Sequence, residues 1–130
     1  MVLSLVNVMI ERQRAAIGVW QATDPEDFTK LFALYNSGTY NNQWMAIQLS
    51  QFQAGHPLPD SGIFWIIEQI PGFTKSGDVS DVLKKQGYWP SYNIPYFKQV
   101  SVFFSHTYPM YDKHIVSSID RVPDLYDQRI

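Results

Sequence analysis

Along the first twenty positions Leu3, Val6, Met9, Ile10, Ile17 and Trp20, with Gln13 among them, recur close to a 3.6-residue period. Glu11, Arg12 and Arg14 fall between them. The spacing predicts a helix over residues 2–20, weakened near its end by Gly18. A second helix has a sharper start. Asp24 suits the N-cap and Pro25 the first helical position, and Glu26 and Asp27 favour the positive end of the helix dipole. Phe28, Leu31, Phe32 and Tyr35 then make one apolar face, and Asn36-Ser37-Gly38 ends it with a glycine suited to a left-handed backbone.

After this the period changes to two. Residues 43–52 read as a strand with Trp44, Ala46, Gln48 and Ser50 on one face and Met45, Ile47, Leu49 and Gln51 on the other. Gly, Pro and Asp make residues 53–62 a loop. Residues 63–70 are almost continuously apolar and predict a central strand, covered on both faces and stopped by Pro71-Gly72. The two strands are expected to be hairpin neighbours. Ser80 and Gly87 bracket a short helix as cap and stop. Residues 88–97, rich in Pro and aromatics, read as an extended ordered loop. Residues 100–104 read as a strand, and residues 105–130 have no clear period and stay poorly assigned. Nothing resembles a repeat or an interdomain linker, so the 130 residues are a single domain or a fragment of a larger one.

Composition removes several functions. Apolar residues make up 45% of the chain, enough for a sizeable core. The net charge is -2 and the basic residues are scattered, which gives no electrostatic basis for binding nucleic acid. There is no cysteine, hence no disulfide, thiolate metal site or cysteine nucleophile within these residues. No apolar run approaches the roughly 20 residues of a transmembrane helix. The apolar start lacks a basic leader and runs into Glu11-Arg12-Gln13-Arg14, so it reads as helix and no signal peptide is evident. No Asn-x-Ser/Thr sequon occurs.

Chemistry is sparse. Asn41-Asn42, at the start of a strand, offers side-chain N–H groups to a developing oxyanion; the plainer reading, preferred on spacing alone, is a turn whose amides bond their own backbone. His56, His106 and His114 have no zinc spacing, and no nucleophile elbow surrounds any serine, so neither a metal site nor a Ser-His-Asp triad is expected. Glu68, inside an apolar strand, needs hydrogen bonds or a cation; a structural network partner is the favoured role. The aromatic loop either lines an acyl pocket or plugs a sheet, and the plug is the plainer reading.

Three segments nevertheless occur in a telling order: Asn36-Ser37-Gly38-Thr39-Tyr40-Asn41-Asn42-Gln43-Trp44-Met45, then Glu68-Gln69-Ile70-Pro71-Gly72, then Tyr88-Trp89-Pro90-Ser91-Tyr92-Asn93-Ile94-Pro95-Tyr96-Phe97. With the lead-in Phe28-Thr29-Lys30-Leu31-Phe32, they resemble the phospholipase B-like family over roughly residues 5–100. The resemblance implies an α+β fold, part of an αββα N-terminal-nucleophile sandwich with helices on a mostly antiparallel sheet. It implies hydrolysis of lipid ester or amide bonds through an acyl-enzyme on an N-terminal cysteine, exposed when a precursor is cut into two chains. That cysteine lies outside these residues, on a companion segment or chain, and residues 1–130 alone are expected to be inactive. Asn41 and Asn42 are the oxyanion candidates, and Trp44, Trp89, Tyr92 and Asn93 the substrate-binding candidates. No cofactor or metal is expected, and the implied location is lysosomal or secreted. A non-catalytic truncated relative, serving as a structural or interaction module, is the alternative.

Overall fold

The apolar run at 63–70 becomes the middle of a sheet. In the computed structural model, which describes residues 9–91 and 94–107 and only the backbone of 104–107, β1 (Gln43–Ile47), β2 (Phe64–Ile70) and β3 (Phe73–Asp78) form an antiparallel sheet in the order β1-β2-β3. As expected, β2 is central and buried on both faces, and β1 is its hairpin neighbour. The third strand has no apolar alternation, since Thr74, Lys75, Ser76 and Gly77 fill it. Its signal is the turn: Pro71-Gly72, with Gly72 at φ 76°, reverses the chain so that Ile70 pairs with Phe73.

Strand β1 is shorter than the period suggests. It ends at Ile47, and a single 3-10 turn, Leu49–Gln51, replaces the rest of the predicted strand 43–52. The Gln48 N–H still reaches the carbonyl of Ile63, just before β2, at 2.8 Å.

Helix α1 (Glu11–Gln21) also differs from its expectation. Residues 2–8 lie outside the described residues, but Met9 forms a parallel bridge with Asn36, and Ile10 is extended. The buried face carries Arg14 and Gly18, whereas Trp20 is 85% exposed. Gly18 selects this face, because a Cβ there would lie 3.0 Å from the Phe28 ring of α2 (Pro25–Ala33). The start of α2 is as predicted: Asp24 accepts the Asp27 N–H at 2.7 Å, with Pro25 following. Phe28 and Phe32 are buried, but Tyr35 has left the helix at φ 57° and is exposed.

In α3 (Ser80–Gln86) Ser80 is the first helical residue rather than the cap. Its buried hydroxyl accepts the Ile63 and Phe64 N–H groups and donates to Asp78, while Asp78 accepts the Ser80 N–H at 2.9 Å. Gly87, left-handed at φ 76°, ends the helix as expected. The strand predicted at 100–104 is instead part of α4 (Lys98–Thr107). Its β-branched and aromatic residues favour a strand locally, but burial of the adjacent Val100 and Ser101 against the sheet decides for helix.

Helices cover both faces. Phe28 and Phe32 pack on Ile67, Trp44 and Ala46. On the other face Ile66, Phe64 and Val79 meet Val82, Leu83, Trp89, Tyr96 and Phe97. The described residues thus form an α+β fold around one antiparallel sheet.

Candidate active site

Residues 35–42 link α2 to β1 through an unusual backbone. Tyr35, Gly38 and Tyr40 are left-handed, at φ 57°, 69° and 49°. For a tyrosine that conformation costs about 1–2 kcal/mol, so neighbouring contacts must impose it. Asn36 donates Nδ2 to the Ile70 carbonyl and accepts the Gly38 N–H through Oδ1, both at 2.9 Å. Gly38 lies against Pro71, where a Cβ would come within 2.9 Å of the Pro71 Cα. Gln69 donates Nε2 to the carbonyls of Thr39 and Tyr40 at 3.0 and 2.9 Å.

Gln69 is itself held by Arg14. Arg14 is 2% exposed, and its guanidinium lies 4.4 Å from the Phe32 ring centroid and donates to Gln69 Oε1 at 2.6 Å, to the Met9 carbonyl at 3.2 Å and to the Phe32 carbonyl. Burial lowers its pKa from the ordinary value, with Glu11 acting in the opposite sense.

A second network occupies the other face. Glu68 is buried and accepts from Gln43 Nε2 at 2.8 Å, from the Tyr96 N–H at 2.7 Å and from the Phe97 N–H at 3.0 Å. Gln43 Oε1 accepts from Trp89 Nε1 at 2.8 Å. Trp89 in turn packs edge-on against Phe64 and Tyr96. Glu68 therefore has the structural partners expected of it.

Asn41 and Asn42 are both exposed, immediately before β1. Asn41 donates Nδ2 to the Gly38 carbonyl at 3.0 Å, which is the local bond of the turn reading. Trp44 and Trp89 lie on opposite faces of the sheet: the Trp44 ring is 4.9 Å from Phe32 with Nε1 buried and unpartnered, and Trp89 packs with Tyr96. Tyr92, Asn93 and His114 lie outside the described residues. His56 is exposed in the 53–62 loop.

Sequence reasoning missed four residues that shape this region: Arg14, Asn36, Gln43 and Gln69. Arg14 was available as a cation among apolar helical positions, and Gln69 as an amide in an apolar strand, where burial demands a partner. Their partners, 55 positions apart, were not.

The family model described as Phospholipase B matches residues 3–114. The chain is 43% identical over 88 residues to "Putative phospholipase B-like 2" of Caenorhabditis elegans, covering 68% of this chain and 15% of that protein. It is 47% identical over 93 residues to "Phospholipase B-like protein G" of Dictyostelium discoideum, covering 68% and 15%. Against "Phospholipase B-like 1" of Homo sapiens the identity is 39% over 94 residues, covering 72% and 17%. The matched stretch thus spans about a sixth of each relative's length.

Proposed function

The chain belongs to the phospholipase B family, and from that premise we propose that it is the oxyanion-side portion of a hydrolase cleaving ester or amide bonds of lipids. The observation that carries this reading is the anchored loop of residues 36–42, which ends in two exposed amides at the start of a core strand. In the proposed reaction a cysteine thiolate attacks the acyl carbonyl, and the α-amine of that N-terminal residue receives the thiol proton. The carbonyl oxygen becomes an oxyanion, and the Asn41 or Asn42 amide donates to it. Collapse of the intermediate expels the alcohol or amine, which takes up the proton, and water then hydrolyses the thioester. This chain contains no cysteine, so the nucleophile belongs to residues beyond it or to a companion chain. Trp89, Tyr92 and Asn93 of the aromatic loop serve as substrate-side groups, whereas Trp44, packed on Phe32 across the sheet from Trp89, is not one of them. A lysosomal or secreted location accompanies this reading.

The test is fatty-acid release from phospholipid micelles by the intact protein that contains this segment. Loss of one oxyanion donor lowers kcat by about 10²–10³, so Asn41→Ala or Asn42→Ala is expected to do so. If neither lowers kcat by about tenfold, roughly 1.4 kcal/mol, the oxyanion assignment is wrong.

The alternative is a non-catalytic relative that serves as a structural or interaction module. The intact mass of the native protein, measured beside its turnover, separates the two.

A further inference from the structure

Adjacent residues of a strand project to opposite faces of its sheet. In β2 the adjacent pair Glu68 and Gln69 is buried, at 3% and 2% exposed, and each member reaches one of the two loops around the proposed site. Gln69 reaches Thr39 and Tyr40, just before the candidate amides. Glu68 reaches Tyr96 and Phe97, at the end of the aromatic loop. We propose that Gln69 and Glu68 are the positioning residues of the site, the first holding the oxyanion-side loop and the second the substrate-side loop. The inference rests on the hydrolase reading above.

Donor and acceptor chemistry makes each hold directional. Arginine only donates and carbonyls only accept, so Gln69 must turn Oε1 to Arg14 and Nε2 to Thr39 and Tyr40. Gln43 is oriented in the same way between the Glu68 carboxylate and the Trp89 N–H. Asn36 spans the Gly38 N–H and the Ile70 carbonyl. Each amide bridges pure donors and pure acceptors, so none can flip without losing its bonds on both sides. The left-handed Tyr40, one residue before Asn41, is thereby held in place.

Two substitutions separate the loops. Gln69→Glu keeps an acceptor for Arg14, and with it the buried cation's partner, but turns a carboxylate oxygen towards the Thr39 and Tyr40 carbonyls. Glu68→Gln directs an amide N–H at groups that are themselves donors. Hydrogen exchange on the intact protein reads the hold, and steady-state kinetics on phospholipid micelles reads the positioning. For Gln69→Glu, amides of 36–42 are expected to exchange at least about tenfold faster, with 94–97 unchanged. Its kcat is expected to fall at least about tenfold, with KM within about twofold. Glu68→Gln is expected to show the converse: faster exchange in 94–97 alone and a rise in KM exceeding the loss in kcat. Asn36→Asp removes the donor to Ile70 while leaving Arg14 untouched, and is expected to reproduce the kcat loss should Gln69→Glu not fold.

Faster exchange in both loops from either variant, or in neither, would overturn the proposal. Selective exchange with unchanged kcat and KM would reduce the pair to scaffolding and overturn it too, while leaving any Asn41 or Asn42 effect intact. A wild-type protein without turnover would refute the hydrolase reading and the catalytic part of this inference together, with the exchange pattern still deciding whether each loop depends on one residue.

Discussion

Replacing Arg14 with methionine tests the network at its source. The guanidinium serves three acceptors, the carbonyls of Met9 and Phe32 and the Gln69 side chain. A hydrogen bond from a charged donor contributes about 1.5–3 kcal/mol, and a buried acceptor left without a partner costs about 1–3 kcal/mol. Methionine also removes the desolvation cost of a cation, which lowers the Arg14 pKa and offsets part of the loss. No charge is left unpaired, so the loss is that of three orphaned acceptors, and at the lower end of that range, about 1 kcal/mol each, Arg14→Met costs about 3 kcal/mol. An unfolding entropy of about 2.1 cal/mol/K per residue then gives a Tm lowered by about 11 °C for the 130-residue chain. Urea unfolding should show the midpoint falling with the slope unchanged. Arg14→Lys keeps the charge but not the fork, and one ammonium cannot reproduce the guanidinium's three contacts, so it should lose more than half as much stability. An Arg14→Met protein within about 0.5 kcal/mol of the wild type, or an Arg14→Lys protein equal to it, would refute the reasoning.

Gly38→Ala combines a left-handed backbone with a Cβ 2.9 Å from Pro71, whereas Gly62→Ala meets the strain alone, with nothing within 4 Å. Thermal melts should show the first losing clearly more than the roughly 1–2 kcal/mol expected of the second. Asp24→Ala removes the cap on the Asp27 N–H and should lower stability by about 1 kcal/mol in the same melts. Burial, with Asp81 and Glu68 nearby, raises the Tyr96 phenol above its ordinary 10.0. Since the folded pKa exceeds the unfolded one, its contribution is complete below about pH 10 and is lost as pH rises through the folded value. Unfolding measured across that range should fall less steeply in Tyr96→Phe; an identical slope would contradict the assignment.

Short-range chemistry was legible in the chain. Asp24-Pro25 begins a helix, Gly87 ends one, and the apolar run at 63–70 is a strand covered on both faces, because caps, left-handed glycines and burial each leave a mark within a few residues. The three segments carrying the family resemblance were equally visible. Their connection was not: Glu68-Gln69, in the middle segment, fastens the other two from opposite sides of the sheet, which only strand register and the packing of α1 and α2 bring about. Tertiary packing also overrode local preference. It buried Arg14 and exposed Trp20 on the same helix, made a helix of the residues that read as a strand at 100–104, and placed Trp44 and Trp89 on opposite faces. Periodicity states that a helix has an apolar side, but the crossing at Gly18 and Phe28 determines which side is buried. A buried polar group announces that it needs a partner, and only the fold supplies one, because its free energy depends on atoms distant in sequence.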